Sequence, residues 1–113
     1  MQHVAFAAPI LPGKTEAFRD WMRLEGSRRL EHAASRERLG ISREAAWLQQ
    51  TPAGDMAIIY MEADDLQAAF AGLATSQEPY DRWSREKISE VHGIDLAQGF
   101  PPPEQLADYR RDR

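Results

Sequence analysis

The apolar positions of this chain fall into two rhythms. His3 to Ile10 is a short apolar run with almost no charge, which predicts a strand whose useful length ends at Pro9, since proline cannot donate to a ladder. Leu11-Pro12-Gly13 follows as a turn. From about Thr15 to Leu39 the period becomes helical, with Gly40 suited to the left-handed residue that ends a helix and Gly26 marking a kink or a break. The inward stripe of that helix reads Ala17, Phe18, Trp21, then Glu25, Arg28, His32, then Leu39. Three ionisable side chains thus stand where apolar ones belong, and a polar group on a buried stripe must be paired or hydrated.

Two extended segments, Ile41 to Thr51 and Asp55 to Ala63, flank Thr51-Pro52-Ala53-Gly54 and predict a hairpin. In the second, Met56, Ile58 and Tyr60 share one face and Ala57, Ile59 and Met61 the other. Both faces are apolar, so both must be covered. One helical layer covers one of them, and a second copy of the same sheet is the expected cover for the other. Asp64-Asp65-Leu66-Gln67 predicts a capped helix start, with Leu66, Ala69, Phe70 and Leu73 on its buried side. Pro79 fits the first turn of a further helix, amphipathic through Tyr80, Trp83, Lys87 or Ile88, and Val91 and ended by Gly93. Ile94 to Ala97 is expected as a last short strand. The order is then β-α-β-β-α-β, an α+β, ferredoxin-like domain over residues 1–97 with a four-stranded antiparallel sheet. Residues 98–113, with Pro101-Pro102-Pro103, form a proline-rich arm that is extended or disordered, and its Phe100, Leu106 and Tyr109 suit a wrap around a partner subunit.

Composition narrows the function. A chain of 113 residues makes one domain. It has no cysteine, which excludes disulfides, thiolate metal sites and a cysteine nucleophile. A net charge of −4 and the lack of aromatic-basic interleaving argue against nucleic acid, and no apolar run approaches a membrane span. The start, Met1-Gln2-His3-Val4, lacks the basic region and apolar stretch of a signal peptide, so a cytoplasmic location is expected. Charge is uneven: residues 14–44 hold eight basic and six acidic side chains, residues 55–95 three and nine. The three histidines lack metal-ligand spacing, and no P-loop, G-x-G-x-x-G or G-x-S-x-G occurs, so neither metal nor cofactor is expected.

Among the side chains that remain, spacings of three and four put Glu25, Arg28 and His32 on one helical face. There Arg28 would hold an anionic group and His32 would move a proton, with Glu25 orienting one or the other. The plain alternatives are a solvated stripe and an ion-paired subunit interface. His3 and Tyr60 would meet across neighbouring strands, Tyr60 offering its hydroxyl to a carbonyl or enolate oxygen. Trp47 supplies a broad apolar surface for a ligand, the core or a dimer contact. His92, at a helix C-terminus, is accounted for by the dipole, which favours an imidazolium.

A first strand, then Leu11-Pro12-Gly13-Lys14-Thr15-Glu16 leading into a helix, then a hairpin, resembles the dimeric α+β barrel superfamily over residues 2–97. That group includes antibiotic-biosynthesis-type monooxygenases and stress-responsive barrel proteins. The resemblance implies a homodimer with two sheets face to face and, between sheet and helices, a cleft for a small organic molecule or haem. Haem-degrading members carry an asparagine on the first strand, and this chain has no asparagine. Cyclase-like members use histidines and a tyrosine, for which His3, His32, His92 and Tyr60 are available. The expected function is therefore a small-molecule-binding homodimer, if an enzyme then a cofactor-independent monooxygenase or proton-transfer catalyst for an aromatic or anionic compound. The competing expectation is a non-catalytic dimeric module.

Overall fold

A computed structural model describes residues 1–111; the end of the proline-rich arm, residues 112–113, lies outside the described residues. The chain is α+β, with strands β1 (Gln2–Pro9), β2 (Ile41–Thr51) and β3 (Gly54–Ala63) and helices α1 (Thr15–Arg23), α2 (Ser27–Leu39), α3 (Leu66–Thr75) and α4 (Pro79–His92). The sheet is antiparallel in the order β1-β3-β2, so β3 is central and the other two are edges. No described helix is long and apolar enough to cross a membrane.

Strand parity decides what meets the helices. Val4, Phe6 and Ala8 of β1 pair with Met61, Ile59 and Ala57 of β3, and Glu44, Ala46 and Leu48 of β2 pair with the same three residues. This face carries the core: Ile10, Phe18, Ala57 and Val91 form one buried cluster, and Ile41, Met61, Ala63 and Ala69 a second. The opposite face presents His3, Ala5, Ala7, Ala45, Trp47, Met56, Ile58 and Tyr60, and no described element packs on it.

A bulge in β2 sets that parity. The register shifts between Ile41, opposite Ala63, and Arg43, opposite Glu62, leaving Ser42 as the extra residue. One inserted residue exchanges the faces of everything beyond it. Ile41 is buried on the helix side, and so is the position of Glu44 three residues later, while Trp47 turns to the open side and stays 55% exposed.

Two expectations about elements need correction. The long first helix is two helices: Leu24 (φ 48°) and Gly26 (φ 62°) adopt left-handed backbone conformations that stop α1 and restart α2. The stripe therefore does not run from Trp21 through Glu25 and Arg28 to His32. The expected last strand, Ile94 to Ala97, is instead coil leading into one 3-10 turn, Leu96–Gln98, started by the Asp95 side chain accepting from the Ala97 amide. The described sheet thus has three strands. Elsewhere the expected signals hold: Asp65 caps α3 by accepting from the Ala68 amide at 3.1 Å, Pro79 opens α4, and Gly93 (φ 68°) closes it.

The helices are joined by a buried carboxylate. Asp81 of α4, fully buried, accepts from Ser35 Oγ of α2, from Ser76 Oγ at the end of α3 at 2.6 Å, and from Arg38 Nη2 of α2 at 3.1 Å. Burial alone would raise its pKa. The two hydroxyls and the guanidinium outweigh that and hold it below the ordinary range. Phe100 packs edge-on against Phe6 of β1, with ring centroids 5.3 Å apart; Leu106 and Tyr109 farther along the arm are each 86% exposed.

Candidate functional site

Between the helix-side sheet face and the helices lies a cavity of about 320 Å³, the small end of the size range for ligand sites. Its floor is strand: Phe6, Ala8, Ala46, Ile59 and Met61. Phe18, Trp21 and Met22 of α1 wall one side, Leu73 of α3 and Ile88 of α4 another, and Ile94, Leu96 and Phe100 of the chain's last described stretch border it as well. The exposed Ala46 brings the cavity to the surface beside β2. The lining is largely apolar, and its polar side chains are His32, Arg36, Glu44 and His92.

Three of these form one unit. His32 Nε2 lies 2.8 Å from Glu44 Oε1, and Arg36 donates to the same carboxylate from Nε at 3.1 Å and from Nη2 at 3.4 Å. Helical spacing of four stacks His32 over Arg36, and the bulge in β2 aims Glu44 at both. Tyr80 of α4 braces the imidazole edge-to-face at 5.9 Å. The Glu44 carboxyl is largely buried, which by itself would raise its pKa. The hydrogen bond from His32 and the charge and hydrogen bonds of Arg36 override burial and bring it from 4.5 down to about 2. Arg36 Nη1 also donates to Ser35 Oγ at 3.0 Å, so a continuous run of hydrogen bonds leads from the cavity wall to Asp81.

The sign of the Glu44 shift gives a pH dependence. A carboxyl held lower in the folded than in the unfolded chain contributes its stability in full above about pH 4.5, and loses it as pH falls toward 2. Roughly 2 kcal/mol of that contribution should be gone by about pH 3. Glu44→Gln should lack this component, so the difference in unfolding free energy between wild type and variant should shrink by about that amount from about pH 6 to about pH 3. Urea unfolding of both proteins at the two pH values measures it; an unchanged difference would contradict the assignment.

His92 is the fourth polar group. It is 7% exposed, lies edge-on to Phe18 at 5.8 Å and beside Trp21 at 6.0 Å, and donates from Nδ1 to the Pro9 carbonyl at 2.7 Å. Burial lowers its pKa, against a smaller opposite pull from the Pro9 carbonyl. The expectation that the helix dipole makes this residue an imidazolium is therefore reversed.

Of the candidate residues, only His32 borders the cavity. Glu25 is exposed in the corner between α1 and α2, at an outer groove with Arg28, Trp83 and Lys87. Arg28 lies over the Trp83 ring at 4.0 Å and pairs with Glu31 at 3.6 Å, so it is not positioned to hold an anion beside His32. His3, Trp47 and Tyr60 are on the open face of the sheet. His3 and Tyr60 do meet there, stacked with centroids 6.5 Å apart. The Tyr60 hydroxyl donates to Glu62 Oε2 at 2.5 Å, a bond that pushes the phenol above its usual range. It is separated from the cavity by the thickness of the sheet.

Sequence reasoning passes over Glu44; it has Arg36 only as a cation near the expected anion site, Trp21 only as core or contact surface, and His92 only as one of the histidines available to a cleft. Glu44 had a signal, an acid in register with Ala46 and Leu48 on one strand face, but the phase of that face depends on the bulge. Trp21 was on the predicted stripe and differs only in facing a cavity rather than a filled core. Among the described residues no group of histidines and carboxylates is arranged to hold a metal ion.

No curated protein and no solved structure matches the chain. A family model does match, over residues 1–102, which takes in all three strands, all four helices and every residue of the cavity wall. By that match the chain belongs to DUF6176, a family of unknown function.

Proposed function

We propose that this protein binds one small aromatic molecule per chain in the cavity between sheet and helices, as a homodimer of ferredoxin-like subunits paired sheet to sheet in the manner of dimeric α+β barrels. The observation that carries the reading is the cavity itself: about 320 Å³, walled by Phe6, Phe18, Trp21 and Phe100, and reaching the surface at Ala46. A void of this size in so small a domain forfeits packing that a bound ring would restore. Sheet-to-sheet pairing is supported by the open face, where Ala5, Ala7, Ala45, Trp47, Met56 and Ile58 form an apolar surface that no described helix or strand covers. The ferredoxin-like order is supported at β1, because the segment ending in Phe100 returns to that edge, where the order adds its fourth strand.

An aromatic ligand fits better than an anionic one. Arg36 is the cation at the cavity wall, and both of its contacts to Glu44 are already made; Arg28 lies outside. For an enzyme, the reading is cofactor-independent proton transfer or oxygenation, with His32 as the proton carrier and Glu44 fixing its ring. One observation favours the non-catalytic reading instead: the same carboxylate is shared with Arg36 and tied through Ser35 to the structural Asp81, an arrangement suited to rigidity.

Naphthalene tests the site. Calorimetric titration should give one site per chain, with a dissociation constant on the order of 10–100 μM for so small a hydrocarbon. Ala46→Trp, which places a ring in the opening without disturbing a buried residue, should weaken binding at least about tenfold. Saturable binding that Ala46→Trp leaves untouched would remove the cavity reading.

A further inference from the structure

Resting on that reading of the cavity, we infer that His92 selects the ligand: the site takes a neutral aromatic molecule bearing a hydroxyl, and that hydroxyl donates to His92 Nε2. The argument begins with the other ring nitrogen. The Pro9 carbonyl can only accept, so the 2.7 Å contact requires the proton on Nδ1. In the neutral ring Nε2 then carries a lone pair and is an acceptor. No described residue donates to it, and its ring neighbours are the aromatic faces of Phe18 and Trp21. The residue is 93% buried, and it borders the cavity.

Burial favours the neutral form, so the acceptor persists at neutral pH. Nε2 is open to the cavity, and once a ligand fills that space and excludes water an acceptor left without a donor is unfavourable; a hydrogen-bond donor on the ligand removes that cost. An anion at the same point would meet the lone pair, whereas a hydrocarbon would leave it unpaired. A phenol answers both requirements, since its ring matches the aromatic lining and its hydroxyl supplies the single proton. Selection of this kind is strong because a site built around a polar contact penalises analogues that lack it.

The test compares 2-naphthol with naphthalene in the full-length protein and in two variants. Asparagine can still donate to the Pro9 carbonyl from its amide while reaching less far into the cavity, so His92→Asn keeps the structural bond and removes the acceptor. His92→Gln, longer, can present its amide oxygen in place of Nε2. Wild type should bind 2-naphthol at least as tightly as naphthalene, and His92→Asn should lower the naphthol-to-naphthalene affinity ratio about tenfold or more. His92→Gln should recover part of it. A ratio that His92→Asn leaves unchanged overturns the role of His92 while the cavity reading stands. Failure of wild type to bind either compound overturns both. Should His92→Asn fail to fold, the ratio in wild type and in His92→Gln still decides, because a site without a polar acceptor would favour the hydrocarbon in both.

Discussion

Asp81→Ala should destabilise the fold by about 2–3 kcal/mol, a large effect for a substitution away from the apolar core. The carboxylate is fully buried and joins three helices, accepting from Ser35 and Arg38 of α2 and from Ser76 at the end of α3. Removing it leaves the buried Ser35 hydroxyl without its acceptor and opens a small void, while the half-buried Ser76 hydroxyl and the exposed Arg38 guanidinium turn to water. The cost is therefore chiefly the unpaired Ser35 hydroxyl and the lost packing between the helices. For a domain whose whole stability is about 5–15 kcal/mol, that is a large fraction. Thermal unfolding should begin about 10 °C lower, and the urea midpoint should move with an unchanged slope. Asp81→Asn, which keeps the shape and one acceptor oxygen, should cost less. Equal midpoints for wild type and Asp81→Ala would mean that water reaches the site and that the helices are held by apolar contacts alone.

Ile58→Glu should convert the proposed sheet-to-sheet dimer to a monomer. Ile58 is in the middle of the central strand, on the open face, beside Trp47 and opposite Ala7. In a face-to-face pair of sheets it would lie near the centre of a C2 interface, so each dimer would bury two new carboxylates. Burying an unpaired charge costs several kcal/mol, enough to weaken association by more than about a hundredfold. The monomer should keep its fold, because the side chain already points away from the helices and the core. Sedimentation equilibrium reads the mass, and circular dichroism reads the fold. A wild-type protein that sediments as a monomer at all concentrations would remove the barrel dimer, and an Ile58→Glu protein that stays dimeric would place the interface on another surface.

Much of the fold was legible because local signals and packing agree on it. Asp65, Pro79 and Gly93 bound their helices through capping chemistry that needs no tertiary context. Pro52-Ala53 sit in the hairpin loop that turn residues between two apolar strands announce. The doubly apolar β3 is also plain from alternation, which makes two covered sheet faces the expectation. What was hidden depends on backbone detail of one or two residues. The bulge at Ser42 sends Glu44 inward and Trp47 outward, and nothing in Ile41-Ser42-Arg43-Glu44 marks it. Leu24 in a left-handed conformation is as unannounced, and it rotates α2 out of phase with α1. One helical stripe therefore became two, with His32 carried to the cavity and Glu25 and Arg28 left outside. The last strand was misread because Ile94 to Ala97 is apolar enough for a strand, while Asp95 capping Ala97 makes a turn instead. His92 was visible, but its partner is a carbonyl 83 positions away in sequence, so its protonation could not be read from the helix that ends on it.

The site rests on one spatial claim, that an aromatic ligand occupies the helix side of the sheet. Strand alternation offers a direct readout, because neighbouring residues face opposite ways: Ala46 and Ile59 line the cavity, while Ala7 and Ile58 have their side chains on the open face. Methyl NMR spectra of the protein titrated with naphthalene would follow all four. The account predicts saturable ring-current shifts at Ala46, Ile59 and Leu73, with Ala7 and Ile58 unmoved. Shifts concentrated at Ala7 and Ile58, with the cavity methyls still, would contradict it.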